Sequence, residues 1–321
     1  MAQNEICRLT IAVVAFATNL PPAYATNQVT VELFSSRAPI TEIVLQSPFS
    51  ISEKFSVQEA QRRFKLTNKQ GRLYLSASDS RRRASEAAVA LPLGRRAVIS
   101  GNNGGEVGIT LADGSRRRYR GAVTVSPLAD NKLLLKNTVS YDDYVTAVIG
   151  SESLPETPAE ALKAQSVLVQ TLMLRYRDGD VLLDSTQTQA YLGADYQRPE
   201  ARAAFAATRG MKLLCKKTPV QVYFHSACSG GTSSSRIFAN KTPTMPCDTF
   251  VTCQFCRRSP FWQEKVTRIP KRLYEKNFSD GVPKIETADS AGRPLLIRFA
   301  NGRAECGYQF WLRVGQKLGW D

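Results

Sequence analysis

Histidine is almost missing from this sequence: His225 is the only one in 321 residues. A Ser-His-Asp hydrolase would have to use it as the base. No G-x-S-x-G elbow is present, so the pattern gives no support to that chemistry. Long hydrophobic runs are also missing. After the first 25 residues nothing approaches the ~18 apolar residues that a membrane-spanning helix requires, and no transmembrane segment is expected. Acidic residues are scarce, 28 against 43 Lys and Arg, for a net charge of +15. That imbalance implies a polyanionic or carboxylate-rich partner, such as nucleic acid, anionic lipid or an acidic wall polymer. No helix-turn-helix, zinc-finger or RNP pattern accompanies the basic residues, and no nucleic acid is expected as a partner. What remains is the composition of a folded chain. With 43% hydrophobic residues it can bury a substantial core, and its length suggests two structural units.

The stretch from Ser140 to Tyr176 organises the rest. Ser140 and Asp143 have the S-x-x-D form of a helix start, and Tyr144, Val145, Val148 and Ile149 then make one apolar face. This helix should stop near Gly150. A second should begin with Thr157 as N-cap, Pro158 at the first helical position and Glu160 closing a T-x-x-E capping box. Its residues to Leu174 are apolar on nearly every side, which predicts a helix over 157–177 packed on more than one face. Between the two helices, Ser151 to Pro155 hold Glu152 at a junction. A lone glutamate there is ordinarily just a helix-end acid.

At the N-terminus, Arg8 precedes an apolar run from Leu9 to Thr18, and Ala23-Tyr24-Ala25 forms a small-residue cleavage site. Residues 1–25 therefore read as a secretory signal, and export to the periplasm or cell envelope is expected. Its removal takes Cys7 and leaves six cysteines, at 215, 228, 247, 253, 256 and 306, an even number suited to disulfides in an oxidising compartment. Residues 26–117 read as a β-rich basic unit, with alternating segments at 29–34, 72–75 and 107–111, the last followed by an Asp113-Gly114 turn. Between Arg62 and Arg120 fourteen Lys or Arg stand against four Asp or Glu, including Arg81-Arg82-Arg83 and Arg116-Arg117-Arg118. These runs suit either a polyanion-binding surface or a solvated face; sparse aromatic interleaving favours the second.

Beyond the long helix, Asp184 to Gly193 form a polar and aromatic loop with amides and hydroxyls suited to sugar recognition. Pro199 opens a short helix that Gly210 closes. Val220 to Phe224 read as a strand delivering His225 and Ser226 into the glycine turn Cys228-Ser229-Gly230-Gly231-Thr232, which exposes backbone N–H groups. The spacing of Cys253 and Cys256, with Cys228, Cys247 and His225, suits zinc. The export signal favours disulfides instead. No metal is expected. A thioredoxin-like role lacks the βαβ context it needs.

Taken in order, Tyr119-Arg120-Gly121, the strand Leu133 to Asn137, Tyr141-Asp142-Asp143-Tyr144-Val145, Ser151-Glu152, Pro155, Ala161-Leu162-Lys163-Ala164-Gln165, Gln189 to Gly193, Phe224-His225-Ser226 and Gly230-Gly231-Thr232 form a series. This series resembles stage II sporulation protein D (SpoIID) and the related amidase-enhancer proteins. The resemblance covers about the last 200 residues well and the N-terminal strands loosely. The Cys228 form of the glycine turn, with Cys256 through Trp262, looks like that of Gram-negative relatives and implies that Cys228 lies near Cys256.

The resemblance implies a lytic transglycosylase that cleaves peptidoglycan glycan strands, with no cofactor. Glu152 matches the family's catalytic glutamate. By analogy Thr188, Gln189, Tyr191, His225, Ser226, Gly230, Gly231 and Thr232 would line the sugar groove. The second reading is a noncatalytic wall-binding module that enhances a partner cell-wall amidase. The implied architecture is α+β, a β-rich N-terminal unit packed on a mixed domain over 118–321 that is centred on the buried helix. This sequence departs from the family pattern at Gln170, where an arginine is common, and at Leu172, where a tyrosine is frequent. The loop before Tyr191 has no His or Cys for the zinc site of some members. The chain ends after the F-R-x-x-L-G-like segment at 310–319 without the H-G-x-G segment that follows it in the family, from which reduced or lost activity is expected.

Overall fold

Alternation decides the N-terminal half. Along the segment from Leu133 to Ser140, every second residue is buried and its neighbours only partly covered, the period-2 pattern of a strand with one face on a core. A computed structural model describes residues 27–37, 39–46, 48–52, 55–58, 62–78, 90–176, 179–185, 188–225, 228, 230–233, 237, 250–258 and 268–318. The expected signal at 1–25, Arg81-Arg82-Arg83, Ser226, Ser229 and Cys247 lie outside the described residues. The chain divides after Leu213 into two compact units.

In the first unit the strands run β1 (Gln28–Glu32), β2 (Glu42–Gln46), β3 (Phe49–Ile51), β4 (Phe55–Val57), β5 (Arg63–Lys69), β6 (Arg72–Ala77), β7 (Leu91–Gly94), β8 (Ala97–Gly101), β9 (Val107–Leu111), β10 (Arg116–Tyr119), β11 (Ala122–Pro127) and β12 (Leu133–Ser140). Helices α1 (Tyr141–Ser151) and α2 (Ala159–Met173) follow, then β13 (Val181–Leu183) and α3 (Pro199–Thr208). One sheet has the order β13-β1-β12-β11-β8-β3-β4 and the other β10-β9-β2-β5-β6-β7. Every pairing is antiparallel except β1 with β13. A single apolar core draws Val31, Ile99 and Leu135 from the first sheet, Ile43, Leu66 and Ile109 from the second, and Val148, Leu162 and Phe205 from the helices. The architecture is α+β, with a β-rich N-terminal region packed against helices. Strands on either side of residue 117 share a core, and β11 and β12 pair with strands from the first hundred residues.

The long helix is the packed one, as expected: Leu162, Ser166 and the run Val169 to Met173 are buried. Its start differs from the reading of the sequence. The helix begins at Ala159, Pro158 stands at the N-cap, and no side-chain cap forms. Thr157 instead donates its N–H to Leu154 O at 3.1 Å, so the elbow's own turn takes the group that a capping box would need. Gln170, the departure from the family pattern, is buried and clamps α2 to the end of α3. Its Nε2 donates to Thr208 O at 2.9 Å, and its Oε1 accepts from Gly210 N at 2.8 Å.

Two polar devices tie the strands together. Asp184, next after β13, accepts from Phe34 N at 2.6 Å, Ser35 N at 2.8 Å, Ser35 Oγ at 2.8 Å and Arg117 at 2.6 Å. A buried carboxylate is tolerable only when its lone pairs are satisfied in this way. Asn137, opposite Val31 on β1 and Val123 on β11, donates to Arg120 O at 2.9 Å and Ala122 O at 3.1 Å and accepts from Tyr191 Oη at 2.6 Å.

In the second unit a short hairpin, β14 (Leu214–Cys215) and β15 (Thr218–Pro219), comes first. Later come α4 (Lys271–Asn277), a sheet of β16 (Lys284–Ala288), β17 (Pro294–Arg298) and β18 (Ala304–Glu305), and α5 (Gly307–Leu318). Residues 220–224, expected as a strand, join no ladder among the described residues. Cys215 is disulfide-bonded, whereas Cys228, Cys253, Cys256 and Cys306 are free.

Truncating Asn137 to Ala leaves the Tyr191 hydroxyl and two backbone carbonyls without their partner in a dry interior. The Asn137→Ala protein should lose ~2–4 kcal/mol of stability, measured by urea denaturation with an unchanged m-value. A loss below ~0.5 kcal/mol, the usual range for surface changes, would contradict the role given to this amide.

Candidate active site

Helix α1 is built to end at an acid. Ser140 Oγ accepts from Asp143 N at 3.1 Å and donates to Asp143 Oδ2 at 2.8 Å, the N-cap that the sequence predicts. Tyr144, Val145, Val148 and Ile149 are fully buried. Glu152 occupies the C-cap, still near helical dihedrals (φ −92°, ψ 0°), with its N–H on Val148 O. Gly150 allows the helix to seat closely, because a Cβ there would lie 1.8 Å from Tyr196 O. The elbow is pinned by Arg198, whose Nη2 donates to Gly150 O at 3.4 Å, Ser153 O at 2.9 Å and Leu154 O at 3.3 Å.

The segment 188–193 runs alongside this helix end. Leu192 N donates to Ser151 Oγ at 3.1 Å and Ala190 N donates to Glu152 Oε1 at 2.6 Å. Alternate residues between them point the other way, into the core. Gln189 accepts from Tyr144 Oη at 3.1 Å, while the Tyr191 ring stacks on Tyr144 at 5.3 Å and its hydroxyl reaches Asn137. Gly193 closes the segment at φ +89°, where a side chain would strike Arg118 O at 2.2 Å.

Glu152 is half-buried. Burial raises its pKa, and the Ala190 N–H opposes the rise by favouring the carboxylate. The helix C-terminus, with its partial negative charge, acts with burial. Among the described residues no cation pairs with Glu152, and its Oε2 has no hydrogen-bond partner. This arrangement can hold a proton on an open oxygen while the other oxygen is fixed by a backbone donor.

Of the residues assigned to sugar binding from the sequence, the structure brings Thr188, Gln189 and Tyr191 into the segment that holds Glu152. The Thr188 hydroxyl donates to Leu183 O. Gln189 and Tyr191 are 0% exposed, so what these side chains do here is fix the segment from beneath. His225, Gly230, Gly231 and Thr232 belong to the second unit. His225 is exposed. Gly231 bridges Thr252, and the Thr232 hydroxyl accepts from Val251 N at 2.9 Å. Three residues that matter to the geometry escaped the sequence reading: Asn137, Arg198 and the hydroxyl of Tyr144. Asn137 had a signal, a polar residue at an inward position of an alternating strand. Arg198 and the Tyr144 hydroxyl act through contacts distant in sequence and had none.

The arginine run is largely consumed internally. Arg117 pairs with buried Asp184 at 2.6 Å, Arg118 meets Glu106 at 3.0 Å as well as Asp195, and Arg120 lies 3.6 Å from Glu106.

Because the folded state raises the pKa of Glu152, it binds that proton more tightly than the unfolded chain does. Ionised Glu152 therefore costs stability above its folded pKa, and the cost disappears below its ordinary value near 4.5. Glu152→Gln should melt higher than wild type at neutral pH and level with it below pH ~4, as thermal denaturation at the two conditions would record. A lower melting temperature for the variant at neutral pH would mean that the fold prefers the carboxylate.

Comparison with known proteins covers the same region. Residues 129–224 match the family model described as SpoIID, stage II sporulation protein. An uncharacterized protein of Brachyspira hyodysenteriae is 28% identical over 123 residues, which are 36% of this chain and 33% of that protein. The chain thus spans about a third of the length of the relative it matches. The matched family region contains β12, α1, the Glu152 elbow, α2, the 188–193 segment and α3, and the chain carries a SpoIID-like domain there.

Proposed function

We propose that this protein is an exported lytic transglycosylase of Gram-negative type that cleaves peptidoglycan glycan strands, with Glu152 as its single acid and base. The observation that carries the reading is the state of Glu152: a half-buried carboxyl at a helix C-terminus, anchored through Oε1 by Ala190 N–H, with no cationic partner among the described residues. Such a group keeps its proton at higher pH than a solvated glutamate, as a general acid must.

One carboxyl suffices for the proposed reaction. Protonated Glu152 gives its proton to the glycosidic oxygen as the bond to the anomeric carbon breaks. The resulting carboxylate then removes the proton of the muramic 6-hydroxyl, and that oxygen closes on the anomeric carbon to form the 1,6-anhydro sugar. The proton is returned to Glu152 and no water is consumed. This differs from hydrolysing glycosidases, where a second carboxylate activates water or attacks the sugar. The 188–193 segment supports the reading by fixing the acid from the backbone, so no side chain near Oε1 has to move when the charge changes.

Glu152→Gln preserves shape and removes the proton. The variant should bind purified glycan strands as wild type does and cleave them at least ~100-fold more slowly. Mass spectrometry of digested sacculi should show 1,6-anhydro ends from wild type only. Equal cleavage by the variant would remove Glu152 from the mechanism. Wild-type protein that binds glycan without producing anhydro ends would favour the amidase-enhancer reading.

A further inference from the structure

The second unit contains a cysteine cluster that the glycan chemistry does not use. Cys228 opens the glycine turn, and Cys253 and Cys256 lie on the segment that faces it, 250–258. Short antiparallel pairing brings them together: Gly231 bridges Thr252, Thr232 N donates to Val251 O at 2.9 Å and Cys253 N donates to Gly230 O at 2.9 Å. Arg293 braces the turn by donating to Gly231 O at 3.0 Å and to Thr232 O. A single 3-10 turn, Phe255–Arg258, carries Cys256 back towards Cys253.

The sulfur positions discriminate between the two fates open to these thiols. Cys228 Sγ and Cys256 Sγ are 3.5 Å apart, Cys253 Sγ and Cys256 Sγ 3.9 Å, and all three lie within 4.8 Å of one another. Cys228 and Cys256 are neighbours, as the family resemblance implies, yet they are not bonded. A disulfide would bring two sulfurs to ~2.05 Å and leave the third without a role. Zinc–sulfur bonds of ~2.3 Å meeting at the tetrahedral angle separate sulfurs by ~3.8 Å, between two of the three separations, the third being within 4.8 Å. A backbone amide already faces the sulfurs. Cys228 N donates to Cys256 Sγ at 3.3 Å. Donors of this kind stabilise thiolates and orient them as ligands. Arg257 and Arg258, next in sequence, add positive charge beside a site whose three thiolates outweigh a divalent ion by one.

We infer that Cys228, Cys253 and Cys256 bind a structural zinc ion, supplying its ligands among the described residues. Three thiolates are a soft donor set, and a C-x2-C pair on a tight turn is the usual way to present two of them. The three thiol protons leave to solvent as the metal binds. The ion would clamp the 228–232 segment to 250–258. The described apolar core of this unit is small, built on Tyr274, Phe278 and Val314; units with little core commonly depend on such a staple.

The test uses the full chain, purified without chelators and assayed for metal by mass spectrometry. Wild type should hold ~1 zinc per chain, and Cys228→Ser, Cys253→Ser and Cys256→Ser should each lower the content at least ~10-fold. Should these variants not fold, wild type alone still decides. Stripped with chelator and loaded with Co2+, it should show thiolate-to-cobalt charge transfer and the intense visible bands of a tetrahedral ion. Zinc below ~0.1 per chain, both as isolated and after adding zinc to the reduced protein, would overturn the site. So would a Cys228–Cys256 disulfide in peptides mapped without reduction. Full zinc content in Cys253→Ser would overturn the ligand assignment. None of these outcomes depends on Glu152.

Discussion

One buried amide holds the geometry on which the rest depends. Asn137 lies on a strand flanked on both sides and is fully buried, where an unpaired polar group would be costly. Its three hydrogen bonds join the β10–β11 connection, the sheet and Tyr191. Tyr191 in turn stacks on Tyr144 of α1. The sheet, the helix that ends at Glu152 and the segment that anchors Glu152 are therefore indexed to one point. The spacing between Ala190 N and the Glu152 carboxyl is thus determined by the packing of rigid elements.

Electrostatics gives the same site its contrast with the rest of the molecule. The chain carries +15, yet several of its cations are spent on neighbouring acids. Asp184 takes Arg117, Glu106 and Asp195 share Arg118, and Asp142 takes Arg209. Glu152 is left without such a partner among the described residues. In a basic protein, an acid that stays unpaired and half-buried keeps the proton that a paired one would lose. The second unit uses a different economy. Its core, small among the described residues, is supplemented by ionic ties of Arg313 to Glu305 at 2.7 Å and Asp280 at 3.1 Å, and by the cysteine cluster at the glycine turn.

Local signals carried far into this fold. The S-x-x-D start of α1, the alternation of the strands, the Pro199 opening and Gly210 closing of α3, and the α+β class were all legible, because each depends on residues adjacent in sequence or on a short period. The failures have one cause. The Thr157 capping box was overridden when the elbow's turn took the Thr157 N–H, and the β-prone run at 220–224 found no partner strand among the described residues. Both outcomes rest on what the chain meets elsewhere, which a local pattern does not contain.

The same division applies to the site. Sequence by itself determined that an acid stands where two helices meet and that a polar loop and a glycine turn follow it; the family resemblance implied that Cys228 belongs near Cys256. Tertiary structure decided which atoms those residues offer. It turned Gln189 and Tyr191 inward and presented Ala190 N–H to the carboxyl instead, because successive residues of an extended segment face opposite ways and the core took one set. It also added Cys253 to the expected pair, because the 3-10 turn folds two cysteines three residues apart onto a third that is distant in the chain.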